Sequence, residues 1–191
     1  MDRDVAGSPT LSPTCRHGPS FSVANKLSRL AWGLCWLLLA RWTPPALHRW
    51  RCALLRLWGA EVGRDVRVYG SVRIWHPANL AIGSGSVLGP RVRCYNQGQI
   101  AIGVSAVVSQ DASLCASTHD VTDPCFPLLL RPIHIGDHAW IAAEAFVGPG
   151  VEVGTGAVLG ARGVAMRDLA SWTFFSGNPA QPLKPRQPFP A

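Results

Sequence analysis

Signatures of several common protein classes are missing from this 191-residue sequence. Its six cysteines form no Cys-x-x-Cys pair and show no zinc-finger spacing, which predicts reduced thiols. The longest apolar stretch, residues 30–40, covers eleven residues, whereas a membrane-spanning helix needs about 20. No cleavage site of small residues accompanies this stretch, so a secretory signal is not expected. Together these absences favour a cytoplasmic protein.

A basic stripe is also missing from most of the chain. Residues 1–60 carry eight Lys and Arg against two Asp, a net charge of +6. Residues 61–191 carry ten Lys and Arg against nine acidic residues, a net charge of +1. A solenoid that binds nucleic acid needs positive charge along its body. The nearly neutral body therefore argues against a nucleic acid as partner.

The sequence does contain a repeat of six residues, which runs from residue 62 to residue 165. Apolar side chains occupy the first position of fifteen hexads, and a small or β-branched residue follows four positions later in all but one of them. A fixed period of this kind indicates a solenoid in which each coil contacts only its neighbours. Three hexads per coil predict a mainly β fold, a single-stranded parallel β-helix of about five coils. A β-sandwich would instead show alternation with a period of two.

Interruptions of the repeat fall at one corner of the predicted coil. The coils begin at Val62, Ile82, Ile102, Ile135 and Val153, so every insertion follows a third hexad. The longest insertion, residues 120–132, contains three prolines. A loop of that length in a compact domain is usually functional. The sequence therefore predicts a functional site at this corner.

The predicted organisation has four parts. Residues 1–25 are expected to form a disordered tail, residues 26–60 an amphipathic helical segment, residues 61–170 the β-helix with loop 120–132, and residues 171–191 a Pro-rich tail. Five of the eight tryptophans lie between Trp32 and Trp58, among basic and apolar residues. This mixture suits a helical hairpin at the inner face of an anionic membrane, and it suits a cap over the open end of the β-helix equally well. Both alternatives stay open.

Two polar residues lie at the interrupted corner. His119 ends a hexad directly before the long loop, and Asn96 is the third residue of the equivalent hexad one coil earlier. A histidine at a corner beside a loop is exposed to ligand, and imidazole exchanges protons readily near neutral pH. His119 and Asn96 are therefore candidate site residues.

Several motifs, which span about residues 20–186, are similar to those of the hexapeptide-repeat acetyltransferases. The motifs are Cys94-Tyr95-Asn96, Ser117-Thr118-His119-Asp120, Asp123-Pro124, Trp140-Ile141-Ala142-Ala143, Pro149-Gly150-Val151 and Gly177-Asn178-Pro179-Ala180. The chain most resembles the O-acetyltransferases of colanic-acid and exopolysaccharide biosynthesis and the maltose and galactoside acetyltransferases. This resemblance implies a left-handed β-helix, an exception to the usual right-handed crossover. It also implies transfer of an acetyl group from acetyl-CoA to a sugar hydroxyl.

The resemblance further implies roles for individual residues. His119 matches the general base, and Asn96 and Asp120 match positions that hold the acceptor. Transfer would be direct, with acetyl-CoA as co-substrate and no bound cofactor. The family's prisms pack as homotrimers with sites in the clefts between subunits, so Trp140 would meet the His119 of a neighbouring subunit.

Five residues match positions that contact acetyl-CoA: Trp140, Ala143, Ala161, Arg167 and Lys184. Trp140 would line the channel for the pantetheine arm, and the backbone N–H of Ala143 would support the thioester carbonyl oxygen, a task for which a preorganised donor is suited. Two residues depart from the family pattern. Met166 stands where relatives often have threonine, and Ala142 replaces a common glycine, which leaves the preferred acyl donor open.

Other functions stay open at this point. A β-helical carbonic anhydrase would need three converging histidines, but His134 and His138 do not fall at places that match His119, so no metal site is predicted. A non-catalytic scaffold at the membrane is a second alternative, against which His119 and Asn96 argue. An N-acetyltransferase for amino sugars or a serine O-acetyltransferase is a third, although the Ser-Thr-His-Asp motif and the long loop favour a polysaccharide-type acceptor.

Overall fold

The computed structural model describes residues 21–189, and this part of the chain begins with two helices. The helices are α1, Val23–Leu39, and α2, His48–Leu57. Ser22 caps α1, because its Oγ accepts a hydrogen bond of 3.2 Å from the N–H of Asn25. Within residues 21–189, no helix is both long enough and apolar enough to cross a bilayer. Most of the predicted N-terminal tail, residues 1–20, lies outside the described residues.

Fifteen short strands then wind into five complete coils of three strands each. The first three coils contain β1 Glu61–Val62, β2 Arg67–Val68, β3 Arg73–Ile74, β4 Leu80–Ile82, β5 Val87–Leu88, β6 Arg93–Tyr95, β7 Ile100–Ile102, β8 Val107–Val108 and β9 Ser113–Cys115. A short 3-10 helix, Pro77–Asn79, joins the first coil to the second. After the third coil comes a hairpin, β10 Ser117–His119 and β11 Leu128–Leu130. The last two coils and the C-terminal hairpin contain β12 Ile133–Ile135, β13 Trp140–Ile141, β14 Phe146–Val147, β15 Glu152–Val153, β16 Val158–Leu159, β17 Val164–Ala165, β18 Thr173–Ser176 and β19 Gln181–Pro185.

Equivalent strands of successive coils pair in parallel and form three flat sides. The first side consists of β1, β4, β7, β12 and β15, the second side contains β2, β5, β8, β13 and β16, and the third side consists of β3, β6, β9, β14 and β17. The predicted coil starts pair with one another throughout, Val62 with Ile82, Ile82 with Ile102, Ile102 with Ile135 and Ile135 with Val153. The predicted β-helix and its register are therefore confirmed.

The core is a column of inward-pointing side chains to which every strand of the five coils contributes. On the second side, Val68, Leu88, Val108, Ile141 and Leu159 are fully buried. Burying a side chain of this size stabilises the fold by about 1.5–3 kcal/mol relative to leaving it in water. The repeat of apolar first positions is thus the direct cause of the three-sided shape.

The helical hairpin covers the edge of the first coil. No coil precedes this edge, so no backbone N–H groups of a neighbouring strand donate hydrogen bonds to its carbonyl oxygens. Side chains of the two helices donate to these carbonyl oxygens instead. Trp32 Nε1 donates to Ile74 O at 2.9 Å, Trp36 Nε1 to Gly70 O at 3.0 Å, and Arg51 Nε to Val68 O at 2.6 Å. An open sheet edge invites pairing with another chain, and such a cover prevents it. The packing of the two helices on the first coil therefore shows that they cap this end of the β-helix.

Arg51 ties α2 to the segment that connects the two helices as well as to the coil. Its guanidinium is fully buried and donates to Thr43 Oγ1, Pro44 O and Pro45 O at 2.6, 3.0 and 2.5 Å. Burial lowers the pKa of Arg51 from its ordinary value. The buried cation is therefore stabilised by carbonyl and hydroxyl oxygens.

Two segments differ from the prediction. The predicted loop 120–132 contains a strand, because β11 pairs antiparallel with β10. The predicted C-terminal tail forms a hairpin in which β18 pairs with β16 and β19 pairs with β18, so that the second side continues beyond the last complete coil. Leu169 also pairs with Val153, which begins a sixth coil on the first side.

Candidate active site

The hairpin of β10 and β11 places His119 at the corner between the third and first sides. In this hairpin Ser117 pairs with Leu130, Thr118 with Leu129 and His119 with Leu128. The hairpin leaves the prism after the third coil, where the sequence predicted the long insertion. The side chain of His119 is exposed. The predicted corner is therefore where the structure has its most prominent excursion.

The tip of this hairpin is held by short-range hydrogen bonds. Asp120 Oδ1 accepts from the backbone N–H and the Oγ1 of Thr122 at 2.9 and 2.6 Å. These hydrogen bonds, that of the hydroxyl first, lower the pKa of Asp120 from its ordinary value. Asp123 Oδ1 likewise accepts from the N–H of Cys125 at 2.8 Å. Such side-chain turns give the loop a defined shape.

This loop shape brings a carbonyl group to His119. Phe126 has a left-handed φ of 46°, and its carbonyl oxygen lies 2.6 Å from Nδ1 of His119. Because a carbonyl oxygen only accepts, Nδ1 carries the proton and donates it to Phe126 O. The neutral imidazole then has its lone pair on Nε2, the nitrogen that is free to take a proton.

A surface depression lies next to His119 and is shared between the corner and α1. It is lined by Phe21, Lys26, Tyr95, Gln97, Cys115, Ser117, Thr118, His119 and Leu128. Phe21 and Lys26 come from the beginning of the helical segment, far from the other residues in the sequence. The outward position of Tyr95 could have been predicted from the sequence, because neighbouring residues of a strand point to opposite faces and Cys94 points inward. No sequence pattern identified Phe21 or Lys26, since nothing in the repeat fixes where α1 lies.

Asn96 lies at the predicted corner, but its side chain is enclosed. Its exposed fraction is 0%, and its Oδ1 accepts from the backbone N–H groups of Trp75 and His76 at 3.0 and 3.2 Å. Its Nδ2 donates to His76 O at 2.6 Å. All of these contacts hold the corner of the first coil against that of the second. In this structure Asn96 therefore supports the corner and does not reach the depression.

Trp140 and Lys184 belong to one row of residues across the second side. Trp140 pairs with Val158, Val158 with Phe174, and Phe174 with Lys184. The indole of Trp140 is 44% exposed, and its Nε1 donates to Ser109 Oγ at 2.9 Å. Lys184 Nζ lies 6.0 Å from the centre of the Phe174 ring. Three strand spacings of about 4.8 Å put the two ends of this row roughly 14 Å apart.

Ala143 and Ala161 lie at the corner between the second and third sides in successive coils. The carbonyl oxygen of Ala143 accepts from the N–H of Arg162 at 2.9 Å. Among residues 21–189, no hydrogen bond uses the N–H of Ala143. Arg167 is exposed at a different corner, between the third and first sides. The structure thus groups Trp140, Ala143, Ala161 and Lys184 and places Arg167 on the same edge of the prism as His119.

Metal-ligating groups do not cluster in the described part of the chain. No three His, Cys, Asp or Glu side chains among residues 21–189 are arranged so that they could hold an ion. Cys35, Cys52, Cys94 and Cys115 are free thiols, and burial raises the pKa of Cys94 to about 12. Cys125 is disulfide-bonded, so the prediction of reduced cysteines is wrong at that position.

Comparison with known proteins gives three informative similarities, although no protein-family model matches the chain. WcaF of Escherichia coli strain K12, assigned as a colanic acid biosynthesis acetyltransferase, is 37% identical over 166 residues, which are 87% of this chain and 91% of WcaF. The hexapeptide-repeat acetyltransferase VCA0836 of Vibrio cholerae O1 biovar eltor, solved with acetyl-CoA, superimposes with a TM-score of 0.79 at 21% identity over 90% of this chain and 94% of that one. A maltose O-acetyltransferase of Clostridium difficile 630 superimposes with a TM-score of 0.78 at 21% identity over 87% and 90% of the two chains.

These similarities carry different conclusions. The two solved structures share the fold, in agreement with the predicted left-handed β-helix. The likeness to WcaF extends over nearly the whole length of both chains and includes the helical segment. At that identity and coverage, descent from a common ancestor is the only reasonable explanation. The chain therefore belongs to the hexapeptide-repeat acetyltransferases and is an acyltransferase.

Proposed function

We propose that this protein transfers an acetyl group from acetyl-CoA to a hydroxyl group of a sugar or an exopolysaccharide precursor. The observation that carries the proposal is the hydrogen bond between Nδ1 of His119 and the carbonyl oxygen of Phe126. It fixes the tautomer of the neutral imidazole in which Nε2 carries no proton. A general base needs this arrangement, with a free nitrogen held in one orientation.

In the proposed reaction, His119 acts on the acceptor hydroxyl. Nε2 takes the hydroxyl proton while the hydroxyl oxygen attacks the carbonyl carbon of the thioester. The resulting tetrahedral intermediate collapses as its carbon–sulfur bond breaks, and the departing thiolate of CoA takes the proton from Nε2. Transfer is direct, so the protein forms no acyl intermediate. The Phe126 carbonyl stabilises the imidazolium that exists between the two proton transfers, as a fixed dipole does in other sites.

The second side and its corner supply the proposed site for acetyl-CoA. The free N–H of Ala143 would donate to the carbonyl oxygen of the thioester, where negative charge develops. The exposed indole of Trp140 would pack against the pantetheine arm, with Ala161 beside it. Lys184, at the other end of the row, would pair with a phosphate group. Arg167, on the His119 edge of the neighbouring chain in the proposed trimer, would pair with another through two parallel hydrogen bonds. The fold that the chain shares with a protein solved with acetyl-CoA supports acetyl-CoA as the donor.

The depression beside His119 is the proposed site for the acceptor. Its polar lining of Tyr95, Gln97, Ser117 and Thr118 provides hydroxyl and amide groups of the kind that pair with sugar hydroxyls. Asp120 keeps one carboxylate oxygen free of the turn with Thr122 and remains a proposed acceptor contact. Asn96 is left out of this set because it is enclosed. The assignment of WcaF to colanic acid biosynthesis and the description of the second solved structure as a maltose O-acetyltransferase support a saccharide as acceptor.

A homotrimer is part of the proposal, because one chain separates its two half-sites. His119 lies at the corner between the third and first sides, whereas Trp140 and Lys184 lie on the second side. That corner is the one opposite to the second side in a three-sided prism. If three prisms pack about a threefold axis, the His119 corner of one can face the second side of its neighbour.

The proposed location is a peripheral position at the inner face of the membrane. Covering the first coil uses only the inner face of α1, through Trp32 and Trp36, and leaves the outer face available. The capping and membrane-binding alternatives are therefore compatible in one helix.

The decisive experiment compares two histidines. His119→Ala should lower kcat/KM by about 10²–10⁴-fold, the usual contribution of a general base. The matched control is His134→Ala, which removes an exposed imidazole of the first side that does not line the depression beside His119. Transfer of labelled acetyl groups from acetyl-CoA to a panel of saccharides measures both variants. Unchanged activity of His119→Ala toward an acceptor that the wild type acetylates would refute the assignment.

A further inference from the structure

The outer face of α1 carries a continuous stripe of exposed apolar side chains. These residues, termed the α1 stripe, are Val23, Leu27, Leu30, Leu34, Leu37 and Leu38. They follow one another at spacings of three and four residues, apart from the final adjacent pair, and therefore share one side of the helix. Their exposed fractions range from 43% to 72%. Single exposed leucines are ordinary, but a contiguous patch of this length marks an interaction surface.

The α1 stripe is fixed in its outward orientation. On the opposite face of the helix, Trp32 and Trp36 are buried and donate to carbonyl oxygens of the first coil. Rotating the helix to bury the stripe would break both hydrogen bonds and expose two indoles. Within residues 21–189 the stripe stays exposed and is therefore available to a partner.

The charges around the stripe indicate the nature of that partner. Residues 21–60 contain six Lys and Arg and no Asp or Glu. Lys26 and Arg41 are exposed at the two ends of the stripe, and Trp42, 78% exposed, follows Arg41. A second copy of this segment would bring like charges together. An anionic lipid surface instead offers apolar acyl chains for the leucines, phosphates for the cations and an interface suited to tryptophan.

We propose that the α1 stripe binds the surface of an anionic bilayer, with the helix axis in the plane of the membrane. This inference deepens the membrane location proposed above by naming the surface and the lipid class. The 17 residues of α1 extend about 25 Å, which gives a long contact at shallow depth. Phe21 and Lys26 also line the depression beside His119, so the bilayer lies next to the acceptor site.

Vesicle binding of the full-length protein tests the proposal without any substrate. The wild type should sediment with vesicles that contain about 30% phosphatidylglycerol and much less with pure phosphatidylcholine, because anionic lipid attracts the exposed cations. Leu30→Gln/Leu34→Gln should reduce partitioning at least about tenfold. The control, Val104→Gln/Leu183→Gln, removes two comparably exposed apolar side chains from the β-helix and its C-terminal hairpin and should bind as the wild type does.

A second variant tests the contribution of electrostatic attraction to membrane binding. Lys26→Gln/Arg41→Gln should weaken binding by about fivefold for each cation removed, and raising the salt concentration should have a similar effect on the wild type. Three results would overturn the proposal: no wild-type binding to anionic vesicles, equal loss in the stripe and control variants, or a lower molecular mass of the stripe variant in the absence of vesicles. The last result would assign the stripe to a second copy of the chain. Acetyl transfer does not enter these measurements, so they can fail while the proposed function stands.

Discussion

At the scale of single residues, substitution of Asn96 can distinguish a structural role from a ligand-binding role. Asn96→Ala removes the acceptor of the His76 N–H inside a closed corner, whereas the Trp75 N–H keeps Cys94 O and the His76 carbonyl keeps the N–H of Asn79 as partners. An unsatisfied buried N–H is expensive, so the free energy of unfolding should fall by about 1–3 kcal/mol. Denaturant unfolding at a fixed protein concentration measures this loss.

The neighbouring Gln97 provides the comparison. Its side chain lines the depression, and Gln97→Ala should change the free energy of unfolding by no more than about 0.5 kcal/mol. If Asn96→Ala is as stable as the wild type but raises KM for the acceptor, Asn96 contacts the acceptor as the family resemblance implies. The enclosed geometry would then describe only the unliganded corner.

His119 shows how far residue-level prediction could go. The hexad count located it at the corner with the insertions, because a strict period fixes where each residue falls on the prism. The carbonyl group that sets its tautomer could not be predicted from the sequence. The carbonyl oxygen of Phe126 contacts His119 only because the turns around Asp120 and Asp123 bring the two residues together. Phe21 and Lys26 were equally inaccessible, because tertiary packing of α1 alone brings them to the site.

At the scale of secondary-structure elements, the close stacking of the coils depends on glycine at particular corners. A Cβ added to Gly83 would lie 2.5 Å from the carbonyl carbon of Gly103 and 2.6 Å from the N of Val104. Both contacts are with backbone atoms of the next coil, which cannot move without weakening the strand pairing beside them. Gly83→Ala should therefore lower the free energy of unfolding by about 1–3 kcal/mol.

Gly33 is the matched control for this substitution. It lies in the middle of α1, and a Cβ there would meet no atom within 4 Å. Gly33→Ala should raise the free energy of unfolding by about 0.5–1 kcal/mol, because alanine restricts the unfolded chain and favours the helix. Thermal unfolding of both variants would show opposite shifts. Equal destabilisation by the two substitutions would contradict the role assigned to coil stacking.

The strands of the five coils could be predicted because one pattern fixes both their positions and their pairing. An inward-pointing residue in each hexad fills the prism, and the fixed period then sets the register of every strand with the next coil. The β18–β19 hairpin follows a different rule. It contains Pro182 and Pro185 and lacks the hexad pattern, so its pairing depends on the exposed edge of β16 rather than on a periodic signal.

At the scale of the whole molecule, the two ends of the prism are closed by different means. The N-terminal edge receives side-chain donors from the helical hairpin, whereas at the C-terminal end a strand continues the second side. The three flat sides lie between these ends. The second side is the one that carries the Trp140–Lys184 row, so the proposed donor site lies on a surface that a neighbouring corner can reach.

Mixing two inactive variants tests whether the sites are shared between subunits. His119→Ala keeps the Trp140 half-site, and Trp140→Ala keeps the His119 half-site. In a trimer that contains both variants, one of the three clefts combines an intact His119 with an intact Trp140. Joint refolding of equal amounts should therefore restore about one quarter of the wild-type activity, averaged over random trimers. Separate refolding followed by mixing is the control and should restore none unless subunits exchange. If joint refolding yields mixed trimers without activity, His119 and Trp140 act within one chain or in separate reactions, and the opposite placement of the corner and the second side needs another explanation.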